Sequence, residues 1–203
     1  MSSNSFSFYT KEPFDLGRFA EAELVPIGFE RYGSWDLSPD ARAAFVGYSF
    51  TPSRYEGGLT RDVCVNTSLY ERSDGRVDSR IAAARAVLGN LEINHQINLC
   101  ISSGGIETGA VYRELLEVFE RARGLLGREL PEAIVVSSEM PEDSLIWAAT
   151  QFLVANDRAL DRYRRLAKAI SSSSGARYLV AERFEGELAG GLPEACLRNR
   201  LKD

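Results

Sequence analysis

The chain has 203 residues, of which 44% are apolar and 26% charged, and its formal net charge is −5. This length allows a sizeable core without a disulfide or metal, and the composition excludes disorder over the whole chain. No basic block marks a nucleic-acid-binding segment, no apolar run reaches the roughly 18 residues of a membrane span, and the first residues lack a signal-peptide pattern.

The first third of the chain is predicted to be rich in strands. Residues 1–20 show no clear period and are expected to be a strap that packs against the domain. Residues 24–29 favour an edge strand or a bulge, because Pro26 removes a ladder donor. Alternating apolar side chains then predict two clear strands, over residues 44–50 and 63–69.

After residue 75 the pattern alternates between helix and strand. Apolar residues spaced by three and four predict three helices, over residues 78–91, 110–127 and 142–170. Short apolar runs predict strands at residues 97–101, 133–136 and 178–181. We expect the run at 133–136 to be covered on both faces, because it is continuously apolar.

This order of elements predicts an α+β (mixed α/β) fold. We expect a single domain over residues 21–184, with a mixed sheet and about three main helices that pack mostly on one face. A β-rich N-terminal third precedes an alternating β/α remainder, and residues 185–203 are expected to be a loosely structured tail.

Few chemistries are compatible with the titratable residues. A single histidine, His95, excludes sites that need two histidines, and the sequence has no Cys-x-x-Cys, Gly-x-Ser-x-Gly or Walker pattern. His95 lies between a predicted helix and strand, where a surface or helix-end histidine is favoured over a catalytic one. The odd number and wide spacing of Cys64, Cys100 and Cys196 favour free, buried thiols in a reducing, cytoplasmic compartment. No catalytic residue, cofactor or metal site is assigned.

Two predicted strand-to-helix turns are rich in small and hydroxylated residues. Backbone N–H groups at the start of a helix favour an anion, and serine or threonine hydroxyls add donors. The candidate ligand-binding residues are Ser102, Ser103, Gly104, Gly105, Thr108, Ser137 and Ser138. The alternative is that both are ordinary tight turns with helix caps.

Carboxylates accompany the two turns. If the two strands are parallel neighbours, the serines share one crevice with four acidic side chains, those of Glu107, Glu139, Glu142 and Asp143. Such a crevice suits a divalent cation or a sugar. The alternative is that acidic residues simply favour the first turns of helices.

Aromatic and basic side chains give a second kind of candidate, a partner-binding surface. Its residues are Tyr48, Phe50, Tyr55, Arg158, Arg162 and Arg165. The arginines share one face of the predicted helix by their spacing. The alternatives are strand aromatics that belong to the core and a helix face that is merely solvated.

Two functions remain open at this point. The first is a non-catalytic cytosolic protein that binds a protein partner or itself, which predicts an exposed apolar or aromatic patch around residues 48–55 or on helix 142–170. The second is an enzyme or sensor for a small anionic or hydroxylated ligand, such as a nucleotide or sugar phosphate, bound at turns 102–108 and 137–143. Nucleic acid is the least favoured partner, and no membrane contact is expected.

Overall fold

A computed structural model of the chain describes residues 4–36, 44–52, 61–69, 79–104 and 108–155. The described elements are β1 (Ser5–Thr10), α1 (Leu16–Phe19), β2 (Glu30–Asp36), β3 (Ala44–Phe50), β4 (Asp62–Leu69), α2 (Ser79–Leu88), β5 (His95–Ser102), α3 (Ala110–Glu129), β6 (Ile134–Ser137) and α4 (Pro141–Ala155). The predicted strand at 178–181 and the predicted tail lie outside the described residues.

The predicted α+β class is confirmed. Six strands form one sheet in the order β2-β3-β4-β5-β1-β6. Each of the five neighbouring pairs is antiparallel, whereas the sequence predicts a mixed sheet. The difference arises because β1 lies between β5 and β6, which would otherwise be parallel neighbours.

Three elements of the first 36 residues differ from the prediction, and one of them is strand β2, Glu30–Asp36, which the sequence did not predict. Residues 5–10 form strand β1, paired on both sides with β5 and β6, instead of part of a strap. Residues 24–29 do not form a strand, because α1 continues through a π turn, Ala20–Leu24, into a 3₁₀ turn, Val25–Ile27. Pro26 is tolerated there because a proline near the start of a helical turn sacrifices no hydrogen bond.

The chain divides into two compact units. The first, the sheet unit, comprises residues 1–74 and 94–139, and the second, the helical unit, comprises residues 75–93 and 140–203. Each unit is built from two separate segments of the chain. No single boundary within the predicted domain, residues 21–184, therefore separates the sheet unit from the helical unit.

The sheet unit has its own hydrophobic core. One face of the sheet packs against α1 and α3, and the cluster includes Phe8, Phe19, Leu24, Tyr48, Val65, Ile97, Leu99, Leu115, Phe119, Ala122 and Leu126. In α3, the buried residues recur at spacings of three and four, as one face of a helix requires. The helix runs through Gly124 and Gly127, where the sequence predicts its end, and stops before Pro131.

The helical unit contains α2 and the described part of the predicted helix 142–170, which is α4. The two helices pack against each other. Within this unit, Arg85 Nε donates a 2.6 Å hydrogen bond to the carbonyl oxygen of Ile93, beyond the end of α2. In α4, Ile146, Ala149, Thr150 and Leu153 form the buried face.

Candidate functional site

The two predicted ligand-binding turns lie at the same end of the sheet. Strands β5 and β6 run parallel with β1 between them, so both end there, two strand spacings or about 10 Å apart. Ser5 of β1 lies between the two ends, where its N–H donates a 3.1 Å hydrogen bond to the Ser138 hydroxyl. The Ser138 N–H donates in turn to the Ser5 carbonyl oxygen at 2.9 Å, so Ser138 helps to join β1 to β6.

The remaining residues of the first turn are partly described. Ser102, Ser103 and Gly104 are half-buried, and Thr108 is exposed. Gly104 has a φ of +59°, which a glycine adopts without steric cost. Gly105 and Glu107 lie outside the described residues. Gly109 is the N-cap residue of α3, and because glycine has no side chain, no side-chain hydrogen bond caps this helix.

Three of the four acidic residues of the predicted crevice are described. Glu139 and Glu142 are exposed, and Asp143 is half-buried. Burial raises the pKa of Asp143, and the nearby Arg80 guanidinium opposes that increase. Within the described residues, no group of three or more His, Cys, Asp or Glu side chains is placed to hold a metal ion.

The predicted aromatic surface lies largely in the core. The Tyr48 side chain is only 1% exposed, and its hydroxyl donates a 3.2 Å hydrogen bond to Glu21 Oε1. Phe50 is half-buried, and its ring centroid lies 6.1 Å from that of Phe29. Both alternate onto the core face of β3, so neither offers an exposed aromatic ring to a partner. Tyr55, Arg158, Arg162 and Arg165 lie outside the described residues.

His95 is a buried residue of β5, with 1% of its surface exposed, and not a surface histidine. Its Nε2 lies 2.8 Å from the Thr67 hydroxyl, which donates its own proton to the Gln96 carbonyl oxygen at 3.0 Å. The imidazole therefore donates through Nε2–H, because the hydroxyl has only one proton to give. Burial lowers the pKa of His95 to about 4, so the ring is neutral at pH 7.

The face of the sheet that points away from the hydrophobic core carries a chain of polar side chains, which the sequence analysis missed. Asn98 Nδ2 donates to Asn66 Oδ1 at 3.2 Å, and Asn98 Oδ1 accepts from the Ser7 hydroxyl at 3.0 Å and from Gln96 Nε2 at 2.7 Å. Asn66 is hydrogen-bonded in turn to Tyr32. The network thus crosses the sheet from β1 to β2, and Gln96 Oε1 is a buried oxygen in it without a partner among the described residues.

The network ends at a half-exposed phenol. Tyr32 is 49% exposed, and its ring lies over Gly47, where a Cβ atom would come within 2.7 Å of the hydroxyl. Burial raises the pKa of Tyr32, and the hydrogen bond with Asn66 offsets part of that increase. Tyr32 is therefore a protonated, polar end to the network at neutral pH.

Helix α4 has an exposed stripe opposite its buried face. Trp147 is 61% exposed and Met140, just before the helix, is 41% exposed. Ser144 and Gln151 are exposed on the same side, so the four residues recur at spacings of four, three and four. We call Met140, Ser144, Trp147 and Gln151 the α4 stripe.

The chain matches no protein-family model, no curated protein and no solved structure. Among the described residues, no helix combines the length and apolar character needed to cross a membrane.

Proposed function

We propose that the chain is a non-catalytic binding protein that associates with a second copy of itself through the α4 stripe. The observation that carries this proposal is the exposure of Trp147, at 61%. Tryptophan is enriched among the residues that dominate binding energy at interfaces, and a solvated indole this large is costly to leave in water. Trp147 lies on predicted helix 142–170, which is one of the two places where the sequence analysis expects a binding patch.

A two-fold contact suits the composition of the stripe. Such a contact uses the same patch on both copies, so Trp147 of one copy can pack against Trp147 or Met140 of the other. Aromatic–aromatic pairs add about 0.5–1.5 kcal/mol and sulfur–aromatic contacts about 0.3–1.5 kcal/mol to the burial itself. The patch is small, so we expect weak association that depends on concentration.

Native mass spectrometry and sedimentation over a range of concentrations test this proposal. We expect a species of twice the 22.5 kDa chain mass that disappears in Trp147→Ser and persists in the control Val25→Ser, which changes an exposed apolar residue elsewhere. In a Trp35→Phe background, Trp147 is the sole indole, and its emission should shift to the blue as the concentration rises. A chain that stays monomeric at every concentration would contradict the proposal.

A second candidate function is favoured by the placement of the two turns at one end of the sheet. There, Ser102, Ser103 and Ser137 could donate hydrogen bonds to a small anionic or hydroxylated ligand, such as a sugar phosphate. The same native spectra test this, because a retained ligand adds mass that is lost on denaturation. Titration with inorganic phosphate should then give binding that Ser103→Val weakens and Ser144→Ala, on α4, does not.

A further inference from the structure

Two of the three cysteines face each other across the middle of the sheet. Cys64 of β4 and Cys100 of β5 are register partners, and both are free thiols. Directly opposed residues of an antiparallel pair share a face and have Cα atoms about 4.5–5.5 Å apart. That separation lies within the roughly 4.4–6.8 Å that a disulfide spans.

The thiols are in contact with each other and with one carboxylate. The Cys64 thiol lies 3.2 Å from Asp62 Oδ2, and Cys100 Sγ lies 3.8 Å from the Cys64 carbonyl oxygen. A hydrogen bond between the two thiols lowers the pKa of Cys100 and raises that of Cys64. The proton therefore stays on Cys64, and Cys100 is the better nucleophile.

Both residues keep part of their surface exposed to solvent. We propose that Cys64 and Cys100 are a redox-active dithiol that closes to a cross-strand disulfide by exchange with a low-molecular-weight disulfide. This site is independent of the α4 stripe, because it lies within the sheet unit.

The exchange is balanced in two steps. The Cys100 thiolate attacks one sulfur of the reagent, forms a mixed disulfide and releases the first small thiolate. Cys64 then gives its proton to the first small thiolate and attacks Cys100 Sγ. The second small thiolate leaves and takes up the proton that Cys100 lost on ionisation. In total, two protein thiols lose two electrons and two protons, and one reagent disulfide becomes two thiols.

Oxidised glutathione is the probe for this site, with thiol alkylation and mass spectrometry as readouts. We expect the folded chain to fall from three alkylated cysteines to one, with a peptide linking Cys64 to Cys100 and Cys196 still alkylated. Cys196→Ser should oxidise in the same way. Cys64→Ser should stop at a glutathione adduct on Cys100, because the resolving thiol is missing.

The carboxylate contact gives a kinetic test. Asp62→Asn should speed ring closure several-fold and shorten the lifetime of the mixed disulfide, because the Asp62 carboxylate raises the pKa of the Cys64 thiol. Glu30→Gln, which changes an exposed carboxylate on another strand, should leave closure unchanged. The oxidised chain should also melt at a higher temperature, because the bond closes a long loop between residues 64 and 100. Any of three results would overturn the proposal. All three thiols of the folded chain stay reactive, the chain without substitutions keeps a stable glutathione adduct, or the disulfide that forms includes Cys196.

Discussion

At the scale of single residues, His95 couples stability to pH. Its pKa is about 4 in the folded chain and about 6.5 in an unfolded one, so the unfolded state binds more protons between these values. Folding stability is therefore complete above pH 6.5 and falls as the pH drops towards 4. We expect His95 to account for a loss of about 1 kcal/mol between pH 7 and 5.5, and about 3 kcal/mol by pH 4.

Urea denaturation at several pH values measures this effect. His95→Gln should remove the additional loss between pH 7 and 5.5, because no other residue of the chain has an ordinary pKa in that interval. Equal pH slopes in the two proteins would show that His95 does not titrate in this way.

Gly47 makes room for the Tyr32 ring, and its replacement tests the polar network. A Cβ at residue 47 would press on the far end of the Tyr32 side chain. Because Tyr32 is half-exposed, its ring can swing outwards, at the cost of its hydrogen bond with Asn66. We expect Gly47→Ala to lower the free energy of unfolding by about 1 kcal/mol.

A double-mutant cycle separates this effect from strand propensity. In a Tyr32→Ala background, Gly47→Ala should cost nothing or stabilise the strand, since alanine orders more readily than glycine. An equal cost in both backgrounds would mean that the ring contact does not matter.

The sequence shows which residues share a strand face but not which residue lies opposite. Alternation along β4 and β5 was readable, so Cys64 and Cys100 could be assigned to strands. Their pairing depends on a register set across an intervening segment of 25 residues between Leu69 and His95. The same gap hid the network around Asn66 and Asn98.

At the scale of elements, α1 begins with a cap whose loss can be measured. The Asp15 carboxylate accepts a 3.0 Å hydrogen bond from the Arg18 N–H, which has no partner within the helix. We expect Asp15→Ala to cost about 1 kcal/mol and Asp15→Ser to cost much less, because serine also caps. Denaturant midpoints of the two variants provide the comparison, and equal losses would argue against the cap.

Elements with a strong apolar periodicity were predicted from the sequence, and elements with a weak one were missed. Strand β3 has the predicted bounds, and α3 differs mainly at its end. Strand β1 was missed although Phe6 and Phe8 alternate with Ser5 and Ser7, because the serine-rich composition suggested a strap. Helix α1 was missed because residues 1–20 were predicted to be a strap without a clear period, while the helical spacing of buried Leu16, Phe19, Ala20 and Leu24 was overlooked.

At the scale of the whole molecule, the local sequence pattern could not predict the order of the strands in the sheet. Nothing in the sequence of β1 indicates that it lies between β5 and β6, because both its neighbours come more than 80 residues later. That insertion makes the sheet wholly antiparallel and separates the two candidate turns by one strand. The location of the turns at one end follows from topology and not from the serines themselves.

The independent core of the sheet unit leads to a prediction about the whole chain. Every residue of the main hydrophobic cluster belongs to residues 1–74 or 94–139. Leu69 and His95 are register partners, so an Asn-Gly turn can replace residues 70–94 and join β4 to β5 as a hairpin. We expect this shortened chain, ended at residue 139, to fold with a single cooperative urea transition.

A substitution in the hydrophobic core tests whether that transition reports the unfolding of the sheet unit. Phe119 is 1% exposed and lies in the cluster, so Phe119→Ala should lower the stability of both the full and the shortened chain by about 3–5 kcal/mol. Trp147→Ser can affect only the full chain. If the shortened chain unfolds without a cooperative transition, while the full chain with the same turn still folds, the cluster alone is insufficient and the sheet unit needs residues 140–203 to fold.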